Sequence, residues 1–267
     1  MAVRKFAGGT ILSEVSDWIG TITFNQPEKH NALSGEMWAA VEQILSAWEN
    51  DDEIRVVVLT GAGDKAFISG SDIGEFESRH GNFDAEREYE RLSGSGKEKL
   101  SDFPKPVIAS IRGYCLGSGL GIAIHADIRV AAEDSQFGIP AARIGLAYGF
   151  SSIKRLVDLV GPAHAAMILY SAERIGSGEA ARIGLVNRVV SNNDLTVVVN
   201  DLARKIAQNA PLSIRASKMT IEQVLRDPEA RDHEAVKAVG IACLTSEDHH
   251  EGRSAFHEKR LAKFKGR

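Results

Sequence analysis

Cysteine is almost missing: Cys115 and Cys243 are the only two in 267 residues. They stand far apart and show no metal-ligand spacing. Neither a disulfide framework nor a zinc site is expected, and both thiols read as free in a reducing compartment. No apolar run approaches the length of a membrane span, and no charged-then-apolar leader opens the chain. An excess of basic residues is lacking too, since 32 Lys+Arg stand against 36 Asp+Glu for a net charge of -4. Nothing offers an electrostatic footprint for nucleic acid or an anionic membrane, so neither is expected as a partner. Low-complexity tracts and clear repeats are also absent. The expectation is a soluble cytoplasmic protein that meets any acidic ligand with local lysines and arginines.

What is present is an ordinary globular composition, 43% hydrophobic and 25% charged. The length suits one large domain, or one with a small appendage. Strands are expected at 11–15 and 18–24, with Ser16-Asp17 as a hairpin turn. A helix capped by Ser34 follows, its core face being Met37, Val41, Ile44, Leu45 and Trp48. The β-branched run at 54–60 suits a strand buried on both faces. Residues 75–99 are charged, with few apolar anchors. They read as a solvated helix pair or lid, broken at Gly94-Ser95-Gly96. Further on, strands are expected at 127–132 and 185–190. Helices are expected at 151–160, 162–170 and 177–184, and from Asp194 onward throughout. The division expected is a core of residues 1–195 and a helical region of residues 196–267, whose charged end could pack on a partner subunit.

The centre of the chain is the stretch 106–121, PVIASIRGYCLGSGLG. A short buried strand, Val107 to Ile111, turns at 113–116 into a small-residue helix start. Helix starts leave backbone N–H groups without helical partners, and the helix dipole favours negative charge there. A dinucleotide-binding fingerprint is not met. Gly117 comes four positions after Gly113, and no strand ends in an acid about twenty positions on. No Gly-Lys-Ser/Thr marks a phosphate-binding loop. A second stretch, Phe67-Ile68-Ser69-Gly70-Ser71-Asp72-Ile73, also leads from a strand through small residues to a helix start that Asp72 can cap. Together the two loops could aim two N–H groups at one carbonyl oxygen as it gains charge.

Residues 67–73 resemble the F-x-x-G-A-D-[IL] segment of the enoyl-CoA hydratase/isomerase (crotonase) superfamily. Residues 112–119, RGYCLGSG, are similar to its G-x-x-x-G-G-G segment. Pro27-Glu28-Lys29-His30-Asn31-Ala32-Leu33 resembles its P-x-x-x-N-A-[LM] loop. Similar matches are found at 126–131 (ADIRVA), 137–140 (FGIP), 184–190 (GLVNRVV) and 256–260 (FHEKR). The markers keep the family order over nearly the whole chain.

The resemblance implies an α/β fold, a crotonase-like spiral of ββα units with a C-terminal helical trimerisation region. It implies an acyl-CoA substrate, no separate cofactor, no metal, and a trimer or dimer of trimers. By match, the oxyanion donors are the backbone N–H groups of Ser71 and Ser118. Lys29 and the backbone of Ala66 and Ile68 fall where the family holds coenzyme A. Phe256 and Lys259 fall where a neighbouring subunit completes that site. The substrate pocket by the same match includes Glu28, Asn31, Gly70, Asp72, Ile73, Tyr114, Leu116, Gly117, Gly121, Pro140, Ala141 and Ile144. Its shape is expected to depend on Trp38, residues 75–99 and the helical tail.

The chain departs from the hydratases of this family at both of their glutamates, which are Gly121 and Ala141 here. Ordinary hydratase chemistry is therefore in doubt. Tyr148 falls where decarboxylases of the superfamily carry a tyrosine near the acyl carboxylate. That leaves decarboxylation or thioester cleavage through Tyr148 as one alternative, and a non-catalytic CoA-binding subunit as another. Other polar candidates have plainer readings. Arg143 reads as solvated, His125 as a core histidine and Ser69 as a turn residue. Glu75, Glu77, His80, Glu86 and Glu88 read as a charged face.

Overall fold

The structure is a computed structural model that describes residues 2–79 and 81–267; His80 lies outside them. The chain opens with β1 (Arg4–Phe6) and a hairpin of β2 (Ile11–Ser16) and β3 (Ile19–Phe24). The hairpin turn is Asp17-Trp18, one residue later than expected, with φ of 51° and 64° at its two central positions. Both φ values being positive gives the turn a twist that matches the strands. Helix α1 (Gly35–Trp48) follows, and the Ser34 hydroxyl accepts the Met37 N–H at 3.2 Å as its cap.

From there a ββα unit recurs. The first contains β4 (Val56–Gly61), β5 (Ala66–Ile68), α2 (Ile73–Arg79) and α3 (Phe83–Asp102). The second contains β6 (Val107–Ile111), β7 (Tyr114–Leu116) and α4 (Ser118–His125). The third contains β8 (Ile128–Ala132), β9 (Gln136–Gly138) and α5 (Phe150–Ser171). Short β10 (Ile175–Gly176), α6 (Ser177–Arg182) and β11 (Arg188–Val190) close the core, and α7 (Leu195–Gln208), α8 (Pro211–Val224), α9 (His233–Leu244) and α10 (Glu247–Glu258) complete the chain. Each unit gives its first strand to one sheet, in the order β1-β2-β3-β4-β6-β8-β11, and its second to another, in the order β10-β9-β7-β5. Neighbouring units pair in parallel in both sheets. The repeat is one of architecture, carried by a pattern of apolar strands and turns.

Two apolar layers follow from strand alternation. On β4, Val57 and Leu59 face a core that includes α1, α3 and α4, while Val56 and Val58 face α7. The four-residue spacing of Leu195, Val199, Ala203 and Ala207 lays one stripe of α7 on the second face. The predicted boundary at 195/196 thus falls at the start of a helix that covers the sheet.

Two further expectations need correction. Residues 114–116 are a strand and not a turn: β7 pairs with β5 and β9, so its backbone groups are used by the second sheet. The Gly94-Ser95-Gly96 tract does not break α3; its Gly96 lets the helix pass close to the core, where a Cβ would sit 2.7 Å from the Trp38 ring. The charged end also makes contacts within its own chain. The Lys265 and Gly266 N–H groups donate to Asp248 at 2.6 and 2.8 Å, and Arg260 pairs with Glu251 at 2.6 Å. Gly161 (φ 75°) splits α5 where two helices were expected. Among the described residues, no helix is long and apolar enough to cross a membrane.

Candidate active site

Strands β5, β7 and β9 lie side by side and parallel, so the segments leaving their C-terminal ends are neighbours. The segment after β5 is held by the loop at 30–33. Asn31 is fully buried and anchors that loop: its amide donates to the carbonyls of Ala62 (3.0 Å) and Ala66 (2.8 Å), and its Oδ1 accepts the Gln26 N–H at 2.9 Å. The loop then binds the next segment. The Leu33 N–H donates to the Gly70 carbonyl, and the Asp72 N–H to the Leu33 carbonyl, both at 2.8 Å. This parallel bridge uses the groups on either side of Ser71, so the Ser71 N–H faces away from that loop. Asp72 ends the segment as the cap of α2, its Oδ1 accepting from Gly74 at 2.9 Å and Glu75 at 3.3 Å. Its other oxygen takes Lys29 Nζ at 2.8 Å, and that hydrogen bond holds the Asp72 carboxyl below the usual carboxylate range.

After β7 the chain turns at Gly117, where φ is 51° and ψ is -118°, a conformation only glycine adopts easily. The first α4 bond runs from the Gly121 N–H to the Gly117 carbonyl at 2.9 Å, so the Ser118 N–H precedes the helical ladder. Among the described residues, neither the Ser71 nor the Ser118 N–H has a recorded acceptor. The loops touch. A Cβ on Gly119 would collide with the Ile68 carbonyl, and one on Gly117 would meet Gly70 Cα at 3.8 Å. Across the junction, Ser71 Oγ lies 2.7 Å from Ser118 Oγ and 2.8 Å from Tyr89 Oη.

A cavity of about 860 Å³ opens over this junction. Its walls hold Lys29, Gly70, Ser71, Asp72, Ile73, Gly117, Ser118, Pro140, Ala141, Ile144 and Tyr148, all expected from the sequence. It adds His30 and Ala32 from the 27–33 loop, Ser69, read from the sequence as a turn residue, Glu77, read as part of the charged face, and Gly74 and Leu146. Asn31 and Ala66 line an adjoining cleft of about 210 Å³ with Pro27, Gly63 and Lys65.

Other expected positions lie outside the main cavity. Ile68 is core. Tyr114, Leu116 and Gly121 are not on its wall, and Glu28 is on the surface. Phe256 and Lys259 sit at the exposed end of α10, away from this chain's cavity. Trp38 does not shape the pocket; it is fully buried in the core. Arg143 is exposed and off the wall. His125 is buried with Nδ1 2.7 Å from Ser101 Oγ, and burial, with Arg155 and Lys97 nearby, pushes its pKa down to about 4. It is a neutral core histidine.

A Cβ at Gly121 would look onto Tyr148 Oη at 3.7 Å and Lys97 Cε at 3.9 Å. Burial lowers the Lys97 pKa, and its amine lies 5.5 Å from the Trp38 ring centre. Tyr148 donates its hydroxyl to the Gly117 carbonyl at 2.8 Å, and burial raises its pKa. It is neutral, and its proton buttresses the turn that sets Ser118. Tyr89 escaped the sequence reading. The available signal was a face of Tyr89, Ser93, Gly96 and Leu100 at helical spacing in an otherwise charged segment.

The family model for enoyl-CoA hydratase/isomerase matches residues 14–267. A short-chain-enoyl-CoA hydratase of Clostridium acetobutylicum is 35% identical over 259 residues, covering 96% of this chain and 98% of that protein. A crotonyl-CoA hydratase of Syntrophomonas wolfei is 34% identical over 255 residues, covering 95% and 97%. The crystal structure of an enoyl-CoA hydratase/carnithine racemase from Magnetospirillum magneticum superposes with a TM-score of 0.91 at 33% identity, over 97% of this chain and 96% of that one.

Proposed function

The chain belongs to the enoyl-CoA hydratase/isomerase family, and from that premise we propose that it acts on an acyl-CoA thioester whose oxygen is held between the Ser71 and Ser118 N–H groups. The observation that carries this reading is the meeting, on one cavity wall, of two segments whose Ser71 and Ser118 N–H groups have no acceptor among the described residues. As the thioester becomes an enolate, its oxygen gains charge, and fixed N–H donors stabilise that charge more than the ground state. One such donor is worth about 10²–10³ in rate. The apolar wall of Ile73, Pro140, Ala141, Ile144 and Leu146 takes the acyl chain. Lys29 at the mouth and the cleft beside Asn31 and Ala66 receive the coenzyme A portion.

In the proposed assembly, residues 196–267 make a trimer, and Phe256 and Lys259 complete a neighbour's site. Helix α9 has no buried residue, and Ile241, Leu244, Ile221 and Val224 are exposed on α8 and α9, which supports a covered face there.

Hydration of crotonyl-CoA is slow in this reading, because Gly121 and Ala141 carry no acid. Positioned acid–base groups contribute about 10²–10⁴, and turnover is expected to fall below the Clostridium acetobutylicum relative by a factor in that range. Side-by-side assays check this; equal turnover would contradict it. Decarboxylation through Tyr148 gains no support from the geometry, since the hydroxyl proton is held by Gly117.

A further inference from the structure

The wall of the main cavity holds two carboxylates, Asp72 and Glu77. Asp72 has both oxygens engaged, one by the cap of α2 and one by Lys29. Glu77 is exposed on α2 and has no recorded hydrogen bond or ion pair among the described residues. Other wall groups able to move a proton are engaged or stand apart. Tyr148 donates to Gly117, and Lys29 is held by Asp72. His30 sits where the main cavity meets the adjoining cleft, its ring centre 6.2 Å from that of Tyr114.

The helix sets where Glu77 stands. Asp72 caps α2 directly after Ser71, so the helix start is fixed to the first amide donor. Ile73, Gly74 and Glu77 all line the cavity. Spacings of three and four residues put Gly74 and Ile73 on the same helix face as Glu77. Glu77 stands about 6 Å further along α2 than Ile73, from the rise per residue of a helix. Side chains on a helix lean toward its N-terminus and over the preceding turn, so Glu77 leans back toward the helix start and Ser71. Gly74 lies in that preceding turn and has no side chain to stand in the way. The α-carbon of an acyl group is bonded to the thioester carbon. With the thioester oxygen between the Ser71 and Ser118 N–H groups, that carbon lies beside the start of α2. An acyl chain on the apolar wall shields the carboxylate from water, and a desolvated carboxylate is a stronger base.

We propose that Glu77 is the catalytic base of this site and exchanges protons with the α-carbon of the bound acyl-CoA. The inference rests on the acyl-CoA reading above and gives α2 the task for which Gly121 and Ala141 have no carboxylate. In the forward step a Glu77 oxygen takes the α-proton. The C–H electron pair becomes the carbon–carbon double bond of the enolate, and the thioester C=O pair moves onto the oxygen held by the two N–H groups. In the reverse step the Glu77 carboxylic acid returns a proton to the α-carbon, and the thioester re-forms. A proton traded with solvent between the two steps is the only net change. One exposed carboxylate replaces two, in keeping with the slow hydration expected above.

The test uses the full chain and butyryl-CoA. Binding is read by calorimetry, and deuterium uptake at the α-carbon by NMR in D2O. Glu77→Gln keeps the shape of the side chain and removes its charge. Glu88→Gln removes the same charge from α3, off the cavity wall. The expected result is a fall of about 10² in the uptake rate for Glu77→Gln and an unchanged rate for Glu88→Gln, with butyryl-CoA affinity within about twofold of wild type for both. Wild-type uptake in Glu77→Gln, or an equal fall in Glu88→Gln, overturns the role of Glu77 alone. Binding by the wild type without any deuterium uptake does the same and leaves the binding reading standing. Failure of the wild type to bind butyryl-CoA overturns the acyl-CoA reading, and the role of Glu77 with it.

Discussion

Asp72 ties the substrate mouth to the first loop through one carboxylate. It caps α2 with one oxygen and holds Lys29 with the other at 2.8 Å. Lys29 lowers the Asp72 pKa, so folding favours the ionised form. The linked stability is present above the unfolded carboxylate pKa of about 3.9 and is lost as pH falls through the lower folded value. Asp72→Asn keeps an oxygen for the cap and removes the ion pair. Acid unfolding curves are expected to show the variant losing less stability than wild type below about pH 4; identical acid limbs would show that the pair is inert. At this scale the sequence was informative for Asp72, Ser34 and the two serines, because caps and loop motifs depend on neighbours in the chain. It was silent on Tyr89, because its partner Ser71 is 18 residues away and joined through the fold.

Helix α3 shows how one element can use two glycines differently. Gly94 has open space where a Cβ would stand, whereas Gly96 lies against Trp38. Gly94→Ala should stabilise the protein by about 0.5–1 kcal/mol, since it removes the entropic penalty of glycine in a helix. Gly96→Ala should destabilise it by about 1–3 kcal/mol, as overpacking forces α3 off the core. Chemical denaturation of the two variants checks the pair, and shifts of the same sign would mean that α3 does not pack as described. From sequence alone both glycines read as a break, because spacing cannot show what lies 58 residues upstream in space at Trp38. The same limit turned β7 into a predicted turn: three residues carry no periodicity, and its identity comes from β5 and β9 on either side. Long periodic elements such as α1 and the doubly buried β4 were legible because their patterns are complete within themselves.

Over the whole molecule, the spiral repeat puts the loops after β5, β7 and β9 in one place, and the cavity is the consequence. Ordered motifs in the sequence indicated that fold and most of the cavity wall, including Ser71, Ser118, Pro140 and Ala141. They did not show that the Gly121 position is overlooked by Tyr148 and Lys97, or that the charged tail returns to α10. Those are packing facts, set by distances between elements. The central claim is that amides from two remote segments share one thioester oxygen. A crystal structure of the butyryl-CoA complex measures it directly. The account predicts the thioester oxygen about 2.7–3.1 Å from both the Ser71 and Ser118 nitrogens. A bound thioester whose oxygen is within hydrogen-bond reach of neither nitrogen would contradict it.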